Sequence, residues 1–342
     1  MIESAADVCE EEFVDHDERM DVPLKLNLST THCCLLLTLS AACLCMLSCA
    51  SGEAVARFAG VSTTALEEGK AIYKDIPKSY ARAVCDRQDL SRNFTDPSPP
   101  ASCVPDRGLE EQNLEIAQQE RDGLLEVSKD LTDYFDALQQ LASFGTSSNS
   151  NKKESADSSA KNNKSGPNSA TAGAAKSKAE AAAQKAKFDS GEVSAMGKLA
   201  ELVATAFFSA RLNRQLQRDI REMDPHVEKV TEALQRIVST DYERLLAAEG
   251  KALHDRYDDA VRNQTSPAIR LLVYNDWKHD IGKVDEQKAA AEAFASALKQ
   301  IRAGHNKLAE APGQLTAKSL GSALQPYISQ LALLIPQIEK GL

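Results

Sequence analysis

The sequence predicts an all-α fold, an elongated antiparallel bundle of long helices interrupted by a disordered insert. Three observations lead there. Apolar residues recur at three- and four-residue steps over most of the chain. Ala, Leu, Gln, Lys and Glu dominate its second half, the residues that long helices prefer. No strand-like alternation and no Asn-Gly hairpin signal occurs anywhere. With 342 residues, 42% of them hydrophobic and 26% charged, the chain has enough apolar side chain to bury a core. The formal charge of −10 leaves no basic face for nucleic acid, so no nucleic-acid partner is expected.

The elements follow in order. Residues 33–52 read CCLLLTLSAACLCMLSCASG, an uncharged apolar stretch holding five of the eight cysteines. Lys25 precedes it and small residues close it. A basic start, an apolar centre and a small-residue exit describe a secretory signal. The tail before Met20 is acidic, against the habit of such signals, so translation from Met1 or from Met20 stays open, and a start at Met20 would leave residues 1–19 untranslated. From Val55 through Phe58, Ile72, Ile76 and Ala83 one apolar stripe predicts a helix, with Pro77 expected to kink or split it. A Pro-rich loop from Thr95 to Pro105 ends that unit. A second helix is predicted from Leu109 to Phe144, slightly weakened by Gly123 and stopped by Gly145.

Residues 146–172 lack large apolar side chains and are expected to be a disordered linker. The Ala-rich run that follows is expected to be a frayed lead-in to the next helix, which starts at the capping-box pair Asp189 and Glu192. Asp224-Pro225 and Ser266-Pro267 both look like helix starts, each with a capping residue followed by Pro at the first position. They predict two helices of nearly forty residues, forced antiparallel by their short connections. Pro312-Gly313 breaks the second of them, and a last helix bends at Pro326 and Pro336. The domain division is therefore 1–48 leader and signal, 49–145 helical hairpin with its Pro-rich loop, 146–172 linker, and 173–342 long-helix bundle. The first two helices either complete the bundle or stand apart.

Met46-Leu47-Ser48-Cys49 resembles the box of bacterial lipoproteins, with an aliphatic residue three before the cysteine and a small one just before it. Leu47 is bulkier than the small residue usual in that place, and Cys43 fits less well because Ser40 stands where an aliphatic residue is preferred. The resemblance implies cleavage before Cys49, lipid on its thiol and on the new N-terminus, and a membrane partner reached through that anchor. Ala50 and Ser51 imply sorting to the outer membrane, with the body facing the periplasm. The remainder resembles an uncharacterised helical lipoprotein. Two other readings of the stretch are an uncleaved single-pass anchor, for which eighteen apolar residues are just long enough, and an ordinary cleaved signal. After cleavage only Cys85 and Cys103 remain besides Cys49. In an oxidising compartment they are expected to pair across the Pro-rich loop, a bridge worth about 3 kcal/mol.

Candidate chemistry is sparse. No phosphate-binding glycine loop, nucleophile elbow or zinc-helix motif is present. His305 falls on a core stripe, where it reads as a hydrogen-bonded core histidine before a proton switch or ligand. Asp276, His279 and Asp280 share a helix face and read as solvated rather than as a metal site. The aromatic stripe of Tyr242, Tyr257, Tyr274 and Trp277 is expected to be core. No cofactor or metal is expected, and the chain is not expected to be an enzyme. The leading expectation is an exported, lipid-anchored helical body that binds an unknown envelope protein or acts as a spacer. A second is a carrier with an apolar cavity near Phe207, Phe208 and Phe294. A third is an enzyme assembled from a histidine and distant carboxylates, which would need a cleft joining His305 or His279 to acids of another helix.

Overall fold

Why the first stripe becomes one helix is visible in what it packs against. In the computed structural model, which describes residues 30–89, 108–144, 169–206, 213–311 and 317–341, α1 runs from Thr30 to Asp89 without a break. Pro77 sits inside it and does not split it. Proline removes one backbone bond there, but Ile72, Tyr73, Ile76 and Ser79 around it are buried and hold the turn in place. Further along the chain come α2 (Leu109–Phe144), α3 (Ser169–Lys185), α4 (Ser190–Ala206), α5 (Asn213–Arg236), α6 (Glu243–Asn263), α7 (Pro267–Glu310) and α8 (Ala317–Lys340). The described residues are almost entirely helical and carry no strand. The leader before Thr30, the Pro-rich loop, most of the linker, Gly145, Cys103, Phe207 and Phe208 lie outside the described residues. The chain divides into two units, 1–44 and 45–342. Of the first, the described part is the opening of α1.

The second unit is an all-α bundle built around the later part of α1. Direction follows from which residues meet. Thr63 hydrogen-bonds Asp136 and Gly60 lies against Gln139, so α1 and α2 are antiparallel. Tyr73 meets Phe294 while Phe58 lies against Gly304, so α1 and α7 are antiparallel too. Tyr242 reaches Asp75 and Arg256 reaches Asp86, so α6 runs parallel to α1. Arg302 bonds Glu232 and His305 meets Asp224, which sets α5 antiparallel to α7. One hydrophobic core runs through all of these, and the first two helices complete the bundle rather than standing apart. Each large side chain taken out of water here, such as Phe58, Leu66 or Phe135, contributes about 2 kcal/mol.

Several elements differ from the sequence reading. Asp224-Pro225 starts no helix: both lie inside α5. A capping aspartate must turn its oxygen to the next backbone N–H groups, but Asp224 uses its carboxylate on His305 and Asn306 of α7. The Ala-rich run is no frayed lead-in. It is α3, it begins at Ser169, and it forms a hairpin with α4. Ala179, Ala182, Ala183 and Ala186 are buried, because α2 comes close enough at Gly123 for alanine to suffice. A Cβ on Gly123 would stand 2.6 Å from the Ala182 carbonyl oxygen. The α3 end is a left-handed cap at Lys187, φ 59°, with Phe188 N–H bonding the Ala183 carbonyl and Lys187 N–H that of Gln184. The capping box at Asp189 and Glu192 is formed, each backbone N–H meeting the other's carboxylate at 2.8 Å.

Between α5 and α6 the helix widens into a π turn, Ile237–Tyr242. Buried residues there step by four, through Leu234, Val238, Tyr242 and Leu246. An α-helix of 3.6 residues per turn would carry such a row off the core face, and the wider turn takes up the drift. Ser266-Pro267 does start α7, with Pro267 at the first turn, and its 44 residues span about 66 Å.

Candidate functional site

The end of the α6–α7 hairpin carries the most open chemistry. Buried residues of α7 begin only at Val284, so the first four turns and more of this helix face α6 and little else. Positions 253, 256, 257 and 260 of α6 share one face, as do 273, 276, 277 and 280 of α7. Between the two faces lies a cavity of about 210 Å³. Its lining mixes apolar Leu253, Ala260 and Val273 with the rings of Tyr257 and Trp277 and the charges of Arg256, Asp276 and Asp280.

The rings form a cluster. Tyr257 stacks on Trp277 with centroids 4.8 Å apart, and Tyr274 and His254 stand 5.9 and 6.0 Å from the same indole. The sequence reading placed the whole aromatic stripe in the core. Only Tyr242 is there, with no exposure. Tyr257 and Trp277 are half-buried and Tyr274 is exposed. The split arises because the stripe outruns the helices that could cover it. The Trp277 Nε1–H is buried and has no hydrogen-bond acceptor.

The charges are unbalanced. Arg256 Nη1 donates to Asp86 Oδ1 of α1 at 2.9 Å. Burial pushes the Asp86 carboxyl above the usual carboxylate range; Arg256 opposes that, while Glu249 and Asp280 add to it. Asp280 has only a loose contact with Lys283, at 3.7 Å between partly exposed groups. His279 is exposed and does not line the cavity. The structure thus keeps Asp276 and Asp280 together and leaves His279 out. Among the described residues no group of three or more His, Cys, Asp and Glu side chains is gathered as a metal site.

Beside the cavity lies a polar knot that no sequence signal had singled out. Arg82 of α1 is bidentate to Asp75, at 3.0 and 2.9 Å, and bonds Glu249 of α6 as well. Ser79 donates to Glu249 at 2.6 Å, and Tyr242 and Gln287 donate to Asp75 at 2.8 and 3.2 Å. Burial alone would lower the Arg82 pKa, but its bonds to Asp75 and Glu249 raise it, so the guanidinium stays charged. Burial and Asp75 raise the Tyr242 phenol well above its ordinary value. The usable signal was Glu249, a carboxylate standing on the stripe between Leu246 and Leu253.

His305 is a hydrogen-bonded core histidine. It has no exposure, its Nε2 lies 2.7 Å from the Tyr134 hydroxyl, and its Nδ1 lies 2.8 Å from Asp224 Oδ1. A carboxylate from another helix does reach it, but no cleft opens on the ring. The cavity beside Tyr134 is about 20 Å³, room for one water. Around Phe294 the space looked for in a carrier is filled: Phe294 is fully buried, edge-on to Tyr73 and against Gly69. Cys49 lies on α1, where its side chain is not described, and Cys85 is half-buried near the end of the same helix.

No family model, no curated protein and no solved structure matches this chain. Among the described residues no helix is long and apolar enough to cross a membrane, and the side chains of the apolar stretch 33–50 are not among them.

Proposed function

We propose that this chain is a lipid-anchored protein of the cell envelope whose helical body binds a protein partner through the free end of the α6–α7 hairpin. The observation that carries the binding role is the apolar surface there. Ile269, Leu271, Leu272 and Tyr274 all face solvent, Leu272 with 63% of its surface exposed. Four large apolar side chains within six residues of one helix are costly to leave in water, and a partner would bury them. The anchor rests on the box ending at Cys49 and on the uncharged stretch before it. Export would put Cys85 and Cys103 in an oxidising compartment, where we assign them to each other as a disulfide. An unprocessed single-pass anchor would serve the same body.

Peptide mass analysis of protein extracted from its native membrane tests the anchor. The expected result is an acylated N-terminus at Cys49 and a Cys85–Cys103 peptide two hydrogens short of the free thiols. A chain retaining residue 1 or 20 with free thiols overturns it. Photo-crosslinking from Leu271 in the native membrane tests the binding role. A discrete crosslinked partner, lost when the crosslinker is moved to the buried position Leu298, is the expected result, and crosslinks only to lipid or to none overturn it.

A further inference from the structure

We propose that the cavity between α6 and α7 is a binding site for a small organic ammonium ion. The inference goes beyond the anchored-scaffold reading and does not depend on the anchor. Two features of the cavity converge on that chemistry.

Charge comes first. Asp276 and Asp280 line the space, while its one cation, Arg256, already donates to Asp86 at 2.9 Å. The wall is therefore acidic in excess, and its two solvent-reached carboxylates attract a cation that enters it. Size and polarity of the remaining wall come second. Leu253, Val273 and the Tyr257 and Trp277 rings are poor company for a hydrated metal ion, which wants several oxygen ligands. They suit alkylated nitrogen, whose charge is spread over carbon and which aromatic rings attract. A volume of about 210 Å³ holds a compact ion and not a peptide or a lipid tail. Ammonium on the carboxylates and carbon against the rings describe one small alkylated cation.

Trp277 is the only tryptophan of the chain, so its fluorescence reports on this cavity and nothing else. The experiment is a titration of the full chain in detergent with choline and with ethanolamine. Choline's neutral carbon isostere and sodium acetate serve as controls. The expected result is a saturable change in Trp277 emission with choline or ethanolamine, at least tenfold weaker with the isostere and absent with acetate. The double variant Asp276→Asn, Asp280→Asn should weaken the ammonium response at least tenfold while leaving helix content unchanged, since both side chains lie at the surface end of the hairpin. An equal response to the isostere, or a saturable response to acetate, overturns the proposal, as does no saturable response to either ammonium compound. The isostere comparison needs no variant and decides the matter even if the double variant misfolds.

Discussion

Tyr134, His305 and Asp224 form a chain of three polar groups from three helices, and each depends on the next. Replacing Tyr134 by Phe removes the partner of His305 Nε2 in a place with no room for more than one water. The expected cost is about 2 kcal/mol, read as a lower urea midpoint with an unchanged slope. A second residue, Asp130 on α2, gives a pH signature. Burial first, and Glu126 and Asp133 after it, push its carboxyl up to about 6, against the opposing pull of Lys129 and Lys178. The folded state therefore holds a proton that the unfolded chain releases near pH 4. The stability from this site is full below the unfolded value and is lost as pH rises through about 6. Asp130→Asn should stabilise the protein at pH 7 by about 2 kcal/mol and by almost nothing at pH 3.5, measured by urea unfolding at both.

At the scale of elements, α2 and α3 touch backbone to backbone at Gly123. Gly123→Ala would put a methyl 2.6 Å from the Ala182 carbonyl oxygen and the Ala186 nitrogen. Backbone cannot yield as a side chain does, so α3 should lift from α2, with faster amide exchange in 171–186 and little change in α7. Gly123 shows why parts of the fold were illegible in the sequence. Read alone, it is a weak spot in a helix, and the alanines of α3 are a featureless face; each makes sense only opposite the other. The end of α3 was hidden for a related reason: a left-handed cap usually shows a glycine, and here Lys187 fills the position. Where the signal was local, it was readable: the α2 limits, the Asp189–Glu192 box and the Ser266-Pro267 start all follow from residues adjacent in sequence. Asp224-Pro225 misled because a capping aspartate and a buried ion-pair aspartate look alike until the partner helix is in place.

For the whole molecule, the knot around Arg82 ties α1, α6 and α7 together. Its two carboxylates, Asp75 and Glu249, are nearly buried and share one guanidinium. Arg82→Met leaves them facing each other without a counter-charge. We expect a loss of about 3 kcal/mol, which Glu249→Gln in the same chain should partly restore. Thermal unfolding of the single and double variants checks both statements. The candidate site was half legible at this scale. Asp276 and Asp280 were recognisable as a pair on one helix face, although read there as solvated, and Trp277 was read as core. The cavity was not, because it exists only where α6 and α7 continue past the helices that would fill the space between them.

The unbroken course of α1 has a consequence for reach. Ala54 and Val55 are already packed into the core, five and six residues after Cys49. With lipid on that cysteine, five helical residues place the bundle about 8 Å from the acyl attachment, and even a fully stretched chain allows only about 17 Å. Such an anchor would leash the start of the bundle to its own leaflet. The free end of the α6–α7 hairpin, beyond Asp86 at the other end of α1, would be held away from that surface. A partner would meet it at a distance set by the length of the helices and not by slack in the chain.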